Sequence, residues 1–493
     1  MRQLFLLLIT GFILSPLQAQ FPIYDYSKIQ GEIDFSKPVI QWDGFGFNYV
    51  EIAQTDDPYN DPQDLGGFTI LNEKQKQEII DYIFGEGGLK ISVVKMFLDP
   101  FHQKEPGGSF DHTTTIPNML HFVREGLKKT REGGRDLTII TTLYGPPAYA
   151  MKHKKVRTRD FDTTQKESLI NYMVDWVRYL KKEEGFPVKY LSLHNEGEEY
   201  VRWSLDGRTP EVWNHDYNMF WPHTLVNEFL IKVPKALKKA GLKEVGVTPG
   251  ETSNWERFYR WGYADKIAEN KKAVKNMALI TSHGFMGFGF GRWHSVHMSA
   301  GNDVIREQHP GLHSWVTSTS WARMDAAFVR QLFTNIYFSK VNAIIPWAGI
   351  QRLSHWRGGN PNAGSAIVVK EDSTYALRRG YYYYKQATRA GQPGMAACKV
   401  WLMDSELAMI GFAKQKTNNP DAIILINNGE NEKTISIKLF GTSHTSFDAF
   451  RTNDKNDDDP EVERYKSIGS FDTNNNTLIY TVPPHSVTTF FGK

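Results

Sequence analysis

The chain has 493 residues, a formal charge of +3, 40% hydrophobic and 23% charged residues, and a single cysteine, Cys398. These values describe a folded protein with enough chain for a large core. They exclude an intramolecular disulfide framework, and the charge is too small to suggest nucleic acid as a partner.

Residues 1–19 begin Met-Arg-Gln, continue through the apolar run Leu4 to Leu14 and close with Pro16-Leu-Gln-Ala19. One positive charge, a short apolar core and a small terminal residue predict a cleavable secretory signal and hence a periplasmic or secreted protein. The run is too short to span a bilayer, so no membrane span is expected. Aromatic residues make up 13% of the chain, which is compatible with a sugar-stacking cleft as well as with bulky core filling.

Eight short apolar runs come next: Gly44–Val50, Lys90–Phe97, Asp136–Leu143, Val188–His194, Glu244–Pro249, Met277–His283, Leu312–Ser318 and Val341–Trp347. Between them lie amphipathic stretches such as Asn72–Phe84, Ile116–Thr130, Lys166–Glu184, Leu225–Ala240 and Ala326–Lys340. Strand and helix alternating eight times predict a (β/α)₈ TIM barrel. A doubly wound sheet is the rival, but no dinucleotide-binding glycine loop follows Gly44. From Ala397 onward the pattern becomes short alternating strands with turn clusters, which predicts an appended antiparallel β-sandwich, with Ile29–Ile40 able to add a strand. The expected division is a signal at 1–19, a catalytic barrel over 41–387, and a sandwich built from 20–40 plus 388–493.

The fourth apolar run ends abruptly in His194-Asn195-Glu196-Gly197. A carboxylate closing a barrel strand stands on the face where such barrels keep their chemistry, so Glu196 is a candidate general acid/base. A helix-start acid in the following loop is the plain alternative. Glu251, at the end of the fifth run, is the best-placed second carboxylate, against a loop or helix-start acid before Trp255. His283 closes the sixth run, Trp347 the eighth, and Tyr144 follows the third; each is a candidate sugar contact or a packed core residue. Arg352 and Arg357, in the loop after the eighth run, and the basic stretch Lys152–Arg159 are either solvated charge or a site for an anionic sugar. His102, His112, His294 and His297 have no metal-ligand spacing, so neither a metal nor another cofactor is expected.

Several segments in order resemble glycoside hydrolase family 30 and related retaining barrel glycosidases. They are Gln41-Trp-Asp-Gly-Phe-Gly46, Tyr144-Gly-Pro-Pro-Ala-Tyr-Ala-Met-Lys152, His194-Asn-Glu196, Tyr381–Gly394 and Pro484-His-Ser-Val-Thr-Thr-Phe490. The resemblance implies a carbohydrate-active barrel with its own sandwich, two glutamates and no metal. It makes Glu196 the acid/base and Asn195 a sugar contact. The family's second glutamate, at the end of strand 7, is replaced by Ser318, and no Asp or Glu occurs between Glu307 and Asp325. The expected activity is that of a glycoside hydrolase acting on a polysaccharide or oligosaccharide, with Glu251 as an atypical partner. A catalytically silent glycan-binding barrel is the alternative.

Overall fold

The computed structural model describes residues 28–207, 217–288, 294–319, 325–356, 365–455 and 458–493. The signal-like segment lies outside them. Among the described residues no helix is long and apolar enough to cross a membrane.

The eight predicted runs form eight parallel strands, here numbered as barrel strands in chain order. They are Gly44–Asn48, Val93–Leu98, Thr138–Leu143, Val188–Ser192, Gly246–Thr248, Ile280–Ser282, Ser314–Val316 and Ala343–Ile344. They pair in the order 5-4-3-2-1-8-7-6. The circle closes between strands 5 and 6 through isolated bridges, Val247 to Met277 and Thr252 to Ser282, with Ala278 N donating to Val247 O at 2.9 Å. Strands 1, 2 and 3 are almost entirely buried, as expected of parallel strands covered on both faces.

The amphipathic stretches become the covering helices, each with a local reason to start where it does. Glu73–Phe84 opens with a capping box in which Asn72 and Gln75 exchange side-chain-to-backbone bonds of 3.0 Å, and it buries Ile79, Ile80, Ile83 and Phe84. Pro117–Glu132 has proline in its first turn, and the buried Glu51 carboxylate accepts from Asn118 N and Met119 N at 3.1 and 2.7 Å. Short helices at Trp255–Arg260, Tyr263–Ala268, Lys271–Asn276 and Ala300–Gln308 lie where the sequence has no long apolar periodicity.

The expected appended antiparallel β unit is present, with one parallel pairing within it. The second β unit is a single nine-stranded sheet, and Ile29–Gln41 pairs antiparallel with Ala396–Leu402 but parallel with Lys433–Phe440. An N-terminal strand arriving from outside the meander can be inserted between two strands of the later sequence, and one of its two neighbours is then parallel. The sheet doubles over on an apolar interior that includes Ile33, Met409, Leu425, Ile437, Leu478 and Phe490. Tyr480 closes it, its ring 5.1 Å from Phe490 and 5.3 Å from Phe471. The strand Lys466–Asp472 carries no apolar alternation and is exposed or half-exposed throughout, so its sequence does not mark it as a strand.

Helix Arg379–Ala390 joins the two units: Tyr384 donates to Gly46 O at 2.7 Å, and Tyr383 to His485 O at 2.9 Å. Trp42 seals the same joint, packing on Phe45 and Phe412 and donating to Gly391 O.

Candidate active site

The barrel interior changes character along its axis. Its lower end is plugged by Val93, Ile140, Tyr190, Leu279, Trp315, Ala343 and Ile345, with Trp315 Nε1 anchored on Asp43 at 2.7 Å. Above this apolar plug the inward positions are polar: Lys95 on strand 2, Thr142 on strand 3, Thr248 on strand 5 and Thr281 on strand 6. The candidate residues Asn195, Glu196, Glu251 and His283 meet on that polar layer, at the C-terminal end of the strands, where such barrels keep their chemistry.

Strand 4 continues beyond Ser192 by pairing with the chain after strand 5: Glu251 N donates to His194 O at 2.9 Å, and Glu196 N to Glu251 O at 2.6 Å. This places two glutamates on adjacent chain ends. Gly250 makes the approach possible. Its φ of 97° is in the left-handed region, and a Cβ there would lie 2.2 Å from His194 Cδ2. Glu196 also has a positive φ, 49°, uncommon for a residue with a side chain.

The side chains then meet in one buried chain of alternating charge. Lys95 Nζ donates to Glu251 Oε2 at 2.5 Å and to Asn195 Oδ1 at 3.2 Å. Glu251 Oε1 accepts from Thr142 Oγ1 at 2.6 Å, and Glu251 Oε2 lies 3.0 Å from His283 Nε2. The other imidazole nitrogen, Nδ1, lies 2.8 Å from Glu196 Oε1. Arg202 completes the row, donating to Glu196 Oε2 at 2.6 Å. The order is cation, anion, cation, anion, cation.

Electrostatics fix the protons. Burial alone would push the Glu251 carboxyl up, but Lys95 and His283 outweigh it and hold it down to about 2. Glu251 is therefore ionised, and His283 Nε2 must donate to it. Burial disfavours the imidazolium of His283, yet its hydrogen bonds to Glu196 and Glu251 prevail and raise its pKa above 6.5. In the charged imidazole, which these contacts favour, Nδ1 carries a proton toward Glu196 Oε1, 2.8 Å away. The pair can pass that proton to a group bound beside Glu196.

The sequence candidates fall into three groups. Glu196, Asn195, His283 and Glu251 come together. Glu251, however, is fully buried with both oxygens engaged, so it reaches the mouth only through His283. Trp347 and Tyr144 belong to an aromatic arc beside this cluster. Phe97 packs on both, at 5.8 and 5.2 Å, and its ring lies 5.0 Å from Lys95 Nζ. Tyr144 is itself enclosed, against Phe97 and Tyr217. Arg352 stands apart, its guanidinium spent on a two-pronged pair with Glu371 at 2.9 and 2.5 Å. Arg357 lies outside the described residues.

Ser318, two residues beyond strand 7, is buried, its carbonyl accepting from Gly284 N. Asp325, the next acid along the chain, caps helix Ala326–Tyr337 and is committed there. Sequence reasoning missed Lys95, Thr142 and Arg202. Lys95 had a readable signal: a lysine amid Val93-Val94-Lys-Met-Phe-Leu98 is a charge inside a buried strand, which requires a buried partner.

No protein-family model matches the sequence, and no curated protein matches it. Solved structures do. The catalytic domain of a family 30 xylanase C from Talaromyces cellulolyticus superposes with a TM-score of 0.70 at 17% identity, over 94% of this chain and 100% of that one. An endo-β1,6-glucanase gives 0.66 at 14% identity, over 94% of each chain. A conserved exported protein from Bacteroides fragilis gives 0.67 at 12%, over 93% and 99%. Nearly the whole chain therefore shares the barrel-plus-β-domain fold of glycoside hydrolase family 30 structures.

Proposed function

We propose that the protein is an exported glycoside hydrolase that cleaves O-glycosidic bonds in a polysaccharide or its oligosaccharides. The observation that carries this reading is the Glu196–His283 pair, a carboxylate oxygen 2.8 Å from an imidazole nitrogen beyond the end of strand 4. Glycosidic cleavage requires a proton at the leaving oxygen, and Glu196 would deliver it, drawing it from His283. Asn195 and Trp347 would position the sugar ring, whereas Tyr144 is enclosed behind Phe97 and Tyr217. Glu251 would act through His283, as a positioning residue, because its own oxygens are enclosed. The neighbours named as a xylanase and an endo-β1,6-glucanase support a polysaccharide substrate. The apolar leader, and the neighbour named as an exported protein, support export.

An anionic sugar has less support than the sequence suggested. Arg352 is engaged by Glu371, and Arg157, Arg159 and Lys154 pair with Asp56, Asp160 and Asp162.

The enclosure of Glu251 favours a second reading, a barrel that binds glycan without turning it over. One assay separates the two. Wild type and Glu196→Gln are incubated with a panel of xylan, β-1,6-glucan and uronate-bearing polysaccharides, and reducing ends are counted. The hydrolase reading expects wild-type turnover and a loss of about 10²–10⁴-fold in the variant, assayed well below the variant's own melting temperature, because losing the Glu196 charge leaves Arg202 and His283 short of a partner. Equal turnover by both proteins refutes Glu196 as donor. Binding without turnover in the wild type selects the silent barrel.

A further inference from the structure

The outward face of the β unit carries a feature that the barrel does not explain. Strands Ile29–Gln41, Ala396–Leu402 and Lys433–Phe440 lie side by side, and their registers put Trp401 opposite Glu32 and set Asp34 between Lys399 and Phe440. Trp401 is 36% and Phe440 42% exposed. Alternate residues of the same strands, including Ile33, Ile437 and Leu439, point inward and are buried, so the two rings belong to the solvent face. Trp401 Nε1 donates to Glu32 Oε2 at 2.6 Å, which ties the indole over the neighbouring strand. Among the described residues neither ring has an aromatic or cationic neighbour within stacking distance. Trp261, by contrast, is covered by the Arg257 guanidinium at 4.2 Å.

Between the rings lies a shallow cavity of about 190 Å³ lined by Glu32, Asp34, Lys37, Lys399, Trp401 and Phe440. It is smaller than a site for a whole organic ligand, about 300–1,000 Å³, and suits a single ring of a longer chain. Everything between the two aromatics is charged, with both signs present. The core of a protein–protein interface is depleted in Lys, Glu and Asp, so this is a poor centre for a protein partner. Sugar rings ask for what is present: an apolar ring face to stack on, and carboxylate and ammonium groups in reach of hydroxyls.

We propose that Trp401 and Phe440, with Glu32, Asp34 and Lys399 between them, form a second glycan-binding site on the β unit, away from the barrel mouth. The choice of glycan as ligand rests on the hydrolase reading of the barrel. The site would hold a polysaccharide chain on the protein while the barrel mouth engages it elsewhere.

The test is affinity electrophoresis of the full chain through gels containing the same polysaccharide panel, with Glu196→Gln as background so that no gel is digested. At least one polysaccharide should retard this protein. Adding Trp401→Ala should weaken that retardation by about fivefold or more, and adding Trp401→Tyr, which keeps a ring, should restore most of it. Turnover of a short soluble oligosaccharide should be the same for wild type and the single Trp401→Ala variant. Retardation equal with and without Trp401, or no retardation in any gel, overturns the proposal. If hydrolysis fails in every assay while Trp401-dependent retardation persists, the barrel reading falls and the second site stands.

Discussion

Removing the cation at the bottom of the charged row tests whether Lys95 and Glu251 are a buried couple. Both side chains are 0% exposed and lie 2.5 Å apart. At an effective dielectric constant of about 20 their attraction is roughly 6–7 kcal/mol, and most of it offsets the cost of drying two charges. Lys95→Met keeps the stem and removes the charge. Glu251 is then left as a buried anion with only Thr142 and His283 to satisfy it, and cutting one partner of such a pair costs about 3–5 kcal/mol. Glu251→Gln alone strands Lys95 in the same way. The double variant Lys95→Met/Glu251→Gln strands neither and should recover most of the loss.

Thermal unfolding of the four proteins forms the cycle, and the single variants should melt roughly 5 °C or more below wild type. The coupling between the two sites should reach at least about 2 kcal/mol. If Lys95→Met melts with the wild type, or if the double variant loses the sum of the singles, the alternating-charge account of the site is wrong.

Two further predictions bear on the same residues. His283 has a folded pKa above its ordinary 6.5, so its contribution to stability is complete below pH 6.5 and is lost as pH rises through the raised value. Hydrolysis should follow the same proton, with an alkaline limb above pH 6.5 that His283→Gln abolishes along with most of the turnover; a pH–rate profile whose limb survives the substitution places the working proton elsewhere. Gly250→Ala should cost roughly 3 kcal/mol or more, since it adds left-handed strain to a 2.2 Å collision with His194. Gly185→Ala is the control in the same melting experiment: its φ is 69° and its added methyl would meet nothing within 4 Å, so only about 1 kcal/mol of strain remains. Equal losses at the two glycines would mean that the contact with His194 does not hold Glu251 in place.

Much of the fold was legible because it rests on local patterning. Parallel strands buried on both faces read as apolar runs, and long covering helices read as stripes of period 3.6, so both survive without knowledge of their partners. The short helices between Trp255 and Gln308 span fewer than three turns and give no such stripe. The parallel pairing of Ile29–Gln41 was illegible for another reason. Alternation shows that a strand has an inner face, but the choice of neighbour depends on residues some four hundred positions away.

The candidate site divides along the same physical line. Glu196, Asn195, His283 and Glu251 could be picked out because each ends an apolar run, and strand ends in a barrel converge on one mouth. What could not be read was which of them is wholly enclosed by its neighbours. Glu251 ended a strand as plainly as Glu196, yet Lys95, Thr142 and His283 close over it. That enclosure depends on which way the strand 2 and strand 3 side chains point, and a slip of one residue would reverse it. Had Lys95 pointed outward, Glu251 would lack its cation and burial would favour the protonated carboxyl. His283 would then lose the anion that helps keep it charged. The lysine in strand 2 thus governs the proton that Glu196 would use, and it does so at a distance, from Lys95 to Glu251, from Glu251 to His283 and from His283 to Glu196.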